Sequence, residues 1–304
     1  MKTEEISFYS EGAKVKGILR MPDAPGTGRP GIVQGPGWLG LMDAKLYERY
    51  HQSFTEAGYV VLVFDYRGFG ESEGEKGLLL PLNQADDIRN AVTYLQNRPE
   101  VNPNRIGLFG SGGTGGANPI YVAAVDRRVK CVVSNYAFAS GREWLRRMRR
   151  EYEWLEFLKR VAEDRKKRVL EGHSEMVNPR EELMVVAPER KETAVKKDVD
   201  SRIPDRIPLR CADALMDFRP EDYVASISPR AILFISTEND AVTPEDQTFR
   251  LFEKAGPPKK LILQKETSHY KAYTDYFDQV TPQIIDWYDR YLKYERVQSW
   301  ESIP

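Results

Sequence analysis

Short apolar runs alternate with amphipathic stretches along most of this chain, and that rhythm predicts its elements. From Ile6 to Met21 polarity alternates around Glu11-Gly12-Ala13-Lys14, which predicts two antiparallel strands joined by a turn. Residues 31–34, 60–65, 105–109, 129–134, 231–236 and 260–264 read as strands. The run at 60–65 is almost wholly apolar, as a strand buried on both faces requires. Helical spacing covers 45–57, through Leu46, Tyr50 and Phe54, and 82–96, through Ile88, Val92 and Leu95. Residues 115–125 read as a helix with Pro119 in its first turn, and 244–255 as another. The last helix is expected at 281–294, capped by Thr281 with Pro282 at its first position. Strands that alternate with helices need crossover connections, so the expectation is a mostly parallel α/β sheet with helices on both faces.

The alternation stops between Phe138 and Arg219. There, 142–170 is rich in charge, studded with Trp and Leu, and helical in period, which predicts an inserted helical cap. The expected organisation is a first core part at 1–137, the cap at 138–219 and a second core part at 220–304.

Charge excludes some partners. Forty-five basic residues nearly cancel 46 acidic ones, so no global field draws the chain to nucleic acid or anionic lipid. The arginines and lysines of the cap are interleaved with acids, which reads as a solvated helix face. No run of about 18 apolar residues occurs, and the start Met1-Lys2-Thr3-Glu4-Glu5 has no apolar leader, so the expectation is a cytoplasmic protein with no membrane contact. Cys131 and Cys211 show neither zinc nor disulfide spacing and read as buried thiols. A small-molecule substrate is expected, with no cofactor and no metal. A homodimer contact through the last helix and the Trp300 tail is a further expectation.

Candidate chemistry begins at Gly110-Ser111-Gly112-Gly113-Thr114-Gly115-Gly116, which lies at a strand-to-helix junction. A nucleophile elbow belongs there, since only very small neighbours let strand and helix approach so closely. A phosphate loop would need a lysine that this loop lacks. The spacing Gly110-Ser111-Gly112 with Gly115 also fits a dinucleotide fingerprint, but no ribose-binding acid follows about 20 residues on. Asp86 and Asp87 suggest a metal pair, but they are placed in the first turn of a helix, whose N-terminus favours acids without a metal.

Phe64-Asp65-Tyr66-Arg67-Gly68-Phe69-Gly70-Glu71-Ser72, the elbow, Ser236-Thr237-Glu238-Asn239-Asp240 and Thr267-Ser268-His269 together resemble the α/β-hydrolase superfamily. The likeness covers nearly the whole chain outside the cap, nearest the dienelactone-hydrolase-like and capped carbon-carbon hydrolase branch. It implies His269 as base and Asp240 as its orienting acid, in the superfamily's chain order of nucleophile, acid and base. His51 and His173 are expected to be structural or exposed. It also places Gly112 where a nucleophilic serine or cysteine should stand.

Several explanations of Gly112 stay open: an inactivating substitution of serine, a natural loss that leaves His269 and Asp240 as a general base, or recruitment of Ser111 or Thr114. A silent binding protein is the remaining one. The resemblance further implies an oxyanion hole from the N–H groups of Gly113 and of Gly37 or Trp38. Gln34, Tyr136, Tyr270 and Trp144 are candidate substrate contacts. The expected reaction is cleavage of an acyl or carbon-carbon bond in a small carbonyl-bearing compound. The alternative is a non-hydrolytic lyase or decarboxylase using His269 and Asp240.

Overall fold

A computed structural model describes residues 1–184 and 200–293. β1 (Lys2–Ser10) and β2 (Ala13–Met21) pair antiparallel across Glu11 and Gly12. Both turn residues have positive φ, 46° and 82°, the geometry whose twist matches a two-residue hairpin. β3 (Arg29–Gln34), β4 (Val60–Phe64), β5 (Val101–Gly113), β6 (Val129–Ala137), β9 (Ala231–Thr237) and β10 (Lys259–Gln264) complete an eight-stranded sheet in the order β1-β2-β4-β3-β5-β6-β9-β10. All pairs from β4 to β10 are parallel. Met176–Val177 (β7) and Ile207–Pro208 (β8) form a separate two-stranded ribbon.

The apolar strands are buried on both faces, and successive residues feed different cores. Val33, Leu62, Leu108, Val132 and Phe234 join one cluster, and their neighbours Ile32, Val61, Phe109, Val133 and Leu233 join the other. α1 (Lys45–Glu56) supplies Tyr50 and Phe54 to the second cluster. α2 (Pro81–Gln96) and α3 (Thr114–Val125) supply Ile88, Val92 and Ile120 to the first. Cys131 and Cys211 are buried free thiols, and burial pushes the Cys211 thiol up to about 12.

Several expected details change. β5 runs on to Gly113, so the elbow is the end of a strand. Pro119 sits inside α3, in its second turn, where its ring packs above Gly110. The buried face of α1 includes Tyr47, while Leu46 is exposed. Asp86 and Asp87 fall in the second turn of α2, and the buried Asp87 pairs with Arg67 (Nε to Oδ1, 2.5 Å) and accepts from Ser10 Oγ. The charge pair therefore explains Asp87, not the helix terminus.

Between Ala137 and Ala231 the chain forms α4 (Gly141–Arg147), α5 (Glu151–Leu170), a π-helical turn at Pro179–Leu183, and α6 (Arg210–Asp217). The stretch of helical period at 142–170 forms two helices, with a break between α4 and α5. There Arg149 donates to the carbonyls of Leu145 and Leu183, 2.8 and 2.9 Å, fastening the break to the π-helical turn. α7 (Glu245–Lys254) follows β9. At the C-terminal end, α8 (Ala272–Asp275) and α9 (Phe277–Tyr288) precede a π-helical turn, and Pro282 lies inside α9, not at its start. Trp300 and the expected helix end at Tyr294 lie outside the described residues. No helix among the described residues is long and apolar enough to cross a membrane.

Candidate active site

β5 lies inside the sheet, and its C-terminal end delivers Gly112 and Gly113, both with positive φ, 78° and 55°. The glycines around them are required by backbone contact. A Cβ on Gly110 would stand 2.2 Å from the Gly115 carbonyl oxygen, and one on Gly115 2.6 Å from Gly37 Cα. One on Gly116 would stand 2.5 Å from the Asn135 carbonyl oxygen. Gly112 differs. A Cβ there meets nothing nearer than Tyr273 Oη at 3.6 Å, ordinary contact, so there is room for a side chain and the backbone takes the sharp turn of an elbow.

Asp240 and His269 come from the loops after β9 and β10. One carboxylate oxygen of Asp240 accepts from the N–H groups of Val242 and Thr243, 2.7 and 2.9 Å, which fixes its rotamer. The other lies 2.7 Å from His269 Nδ1. Both side chains are buried. A carboxylate at Nδ1 sets the tautomer that leaves Nε2 to accept a proton. Tyr136 and Tyr270 flank the imidazole, with ring centroids 4.7 and 4.9 Å away.

His269 opens onto a cavity of about 610 Å³ that Gly112 and Gly113 share. The loop after β3 adds Gly37 and Trp38, and Trp144, Met184, Ile203 and Tyr270 add largely apolar wall. Two anchors hold that loop. Asp65 accepts from the Met42 N–H at 2.8 Å and the Glu71 N–H at 3.1 Å, which explains the acid in the motif after β4. Gln34 Oε1 meets His51 Nε2 at 2.5 Å. His51 is fully buried in α1, and burial with Arg20 nearby pulls its pKa down to about 3, so the ring is neutral and donates to Gln34.

Trp144 belongs to the wall and to the frame. Its indole N–H donates to the Val242 carbonyl at 2.8 Å, tying α4 to the loop that carries Asp240. Arg202 bridges in the same manner at the cavity mouth, pairing with Asp43 at 2.7 Å and Glu71 at 3.4 Å.

Three sequence candidates stand elsewhere than expected. Gln34 is not part of the cavity lining, because His51 holds it under the loop. Tyr136 lies behind His269 with its hydroxyl donating to Gln264 Oε1 at 2.5 Å, so it supports the imidazole and does not line the cavity. Ser111, one residue before the elbow on an extended strand, projects away from the cavity and hydrogen-bonds Tyr273 Oη and Asn135 Nδ2. Thr114 is buried, with its hydroxyl unpaired in the described structure. His173 is exposed.

Among the lining residues that escaped the sequence reading, two tyrosines stand beside the elbow. Tyr47 donates to the Ser111 carbonyl at 3.5 Å, and burial raises its phenol to about 12. Tyr273 sits four residues after His269 and has its hydroxyl beside the elbow. The only sequence signal for either was an aromatic residue next to a recognised landmark.

Comparison with known proteins agrees with this architecture. Residues 41–271 match the family described as serine aminopeptidase, S33. The Escherichia coli "uncharacterized 31.7 kDa protein in traX-finO intergenic region" is 29% identical over 86% of this chain and 91% of its own length. Thiohydrolase aneE of Aspergillus aculeatus is 34% identical over 43% of this chain and 40% of its own. The crystal structure of hypothetical protein PA2218 from Pseudomonas aeruginosa has the same fold, with TM-score 0.82 at 24% identity, covering 96% of this chain and 94% of that one. With its mostly parallel sheet and three quarters of its length inside one family, the chain belongs to the α/β hydrolases, in the family described as serine aminopeptidase, S33.

Proposed function

We propose that the chain hydrolyses an acyl bond, an ester or thioester of a small carbonyl-bearing compound, with His269 activating water directly. The observation that carries this reading is the His269–Asp240 pair facing a cavity beside Gly112, where a side chain would fit and none stands. Water taken up over Gly112 gives a proton to His269 Nε2 while its oxygen bonds the substrate carbonyl carbon. The N–H of Gly113 and that of Gly37 or Trp38 receive the oxyanion. As the carbon–oxygen or carbon–sulfur bond breaks, the imidazolium returns the proton to the leaving alcohol or thiol. Asp240 stabilises the charged ring between those steps. Within the expected cap, the described residues Trp144 and Met184 cover the cavity and shield this chemistry. The relative named a thiohydrolase supports a thioester among the substrates.

The absent hydroxyl also favours a second reading, a lyase or decarboxylase in which the same pair takes a carbon-bound proton or assists elimination. Turnover of 4-nitrophenyl esters and acyl thioesters by the parent chain and His269→Ala tests both. The hydrolase reading expects a loss of about 10²- to 10⁴-fold in kcat/KM for the variant, as removal of a general base gives. It also expects no fluorophosphonate adduct on the parent. Ester turnover that ignores His269→Ala, or an adduct at Ser111, refutes it. Equal binding without turnover in both proteins marks a binding protein.

A further inference from the structure

We propose that Tyr273 is a further catalytic residue, whose phenol holds by hydrogen bond the oxygen that attacks substrate above Gly112. This rests on the reading of the site as a hydrolase driven by His269.

Geometry selects Tyr273. Of all atoms beyond the adjacent residues, its Oη is the nearest to a Cβ built on Gly112, at 3.6 Å, ahead of Gly37 Cα at 4.0 Å. An oxygen one bond beyond that Cβ, turned toward the phenol, comes within hydrogen-bonding reach. The same ring lines the cavity together with His269 and Gly112. It is also held firmly. Its carbonyl accepts from Tyr50 Oη at 3.3 Å, and its ring packs edge-on against Tyr136, centroids 5.0 Å apart.

The hydrogen bonds behind it are compatible with a phenol proton directed into the cavity. Asn135 Nδ2 donates to Ser111 Oγ at 3.4 Å, and Ser111 Oγ bonds Tyr273 Oη. Either hydroxyl can donate in that pair; in the proposed arrangement the serine proton goes to Tyr273 Oη, and the phenol's own proton is then free for an oxygen in the cavity. Donors in series polarise one another. Ser111 thus has a use that needs no nucleophilic attack. Burial raises the Tyr273 phenol well above its ordinary value, so it stays protonated. In the step proposed above, the water oxygen accepts from Tyr273, its proton goes to His269, and its remaining lone pair forms the bond to carbon. Tyr273 keeps its proton throughout.

Gly112→Ser provides a probe oxygen at the position the phenol is proposed to hold. The experiment measures the rate of fluorophosphonate labelling of Gly112→Ser alone, with Tyr273→Phe, and with His269→Ala. Loss of one hydrogen bond predicts labelling slowed about tenfold by Tyr273→Phe, with the ring packing retained. His269→Ala should slow it further. Labelling that depends on His269 and ignores Tyr273→Phe overturns the role of Tyr273 and leaves the hydrolase reading in place. Labelling that ignores His269→Ala, or no labelling at all, overturns the hydrolase reading and this proposal with it. In the parent chain, Tyr273→Phe should lower ester kcat about tenfold at unchanged KM. A change in KM alone marks a packing role and also overturns the proposal.

Discussion

Replacing Gly112 and Gly110 by alanine, one at a time, separates two reasons for a glycine at this turn. At Gly112 the added Cβ meets Tyr273 Oη at 3.6 Å, so the penalty is conformational, set by a φ of 78°. An L-residue in the left-handed region costs about 1–2 kcal/mol. At Gly110 the Cβ would stand 2.2 Å from the Gly115 carbonyl oxygen and 2.4 Å from Pro119 Cγ. Neither neighbour is a free side-chain end, so β5 and α3 must separate, and the cost reaches or exceeds the upper range of overpacking, roughly 3 kcal/mol. Urea unfolding followed by circular dichroism gives both values if the two variants fold. Gly112→Ala should lower the thermal midpoint by only a few degrees, about 2–4 °C for each kcal/mol in a large domain. Gly110→Ala should lose several times more, or fail to accumulate as folded protein. Equal losses, or a neutral Gly110→Ala, would refute the claim that Gly112 is a side-chain position and Gly110 a packing position.

Acid should destabilise the fold through His51. Its folded pKa of about 3 lies below the ordinary 6.5, so the unfolded chain binds the extra proton between those values. The associated stability is fully present above pH 6.5 and is lost as pH falls toward 3, at about 1.4 kcal/mol per pH unit. Urea titrations of the parent and of His51→Gln at pH 4, 5 and 7 should diverge by that slope, and parallel curves would contradict it. Asp87→Ala leaves the largely buried Arg67 without its carboxylate and should cost about 3–5 kcal/mol in the same assay. A loss below about 1 kcal/mol would show that the pair is not the anchor its burial implies.

The parallel sheet was readable because strands buried on both faces must be apolar almost throughout, as 60–64 is. The pairing of Asp240 with His269 was readable as a geometry, because each stands in a short loop just past a strand. Which side chains face the cavity was not. Strand parity turns Ser111 away from it, and a partner on α1 draws Gln34 under the loop. Tyr47 and Tyr273 reach the elbow from separate helices, so no spacing along the chain marks their meeting. Arg67 and Asp87 likewise stand 20 residues apart and meet only once the loop after β4 folds over α2.

The order of strands has a consequence for how the site forms in time. Among the described strands of the sheet only β1 and β2 pair as a local hairpin, while β2 must find β4, and β6 must wait for β9, whose first residue lies 94 positions after the last of β6. Contacts between distant parts of a chain form slowly, because the entropy of closing the intervening loops is lost before the contact rewards it. Gly37, Gly112, Asp240 and His269 come from four such distant places, so the cavity exists only after the last two strands have docked. On refolding, helical signal should therefore return before ligand binding, and the competence of this site becomes a clock for completion of the fold.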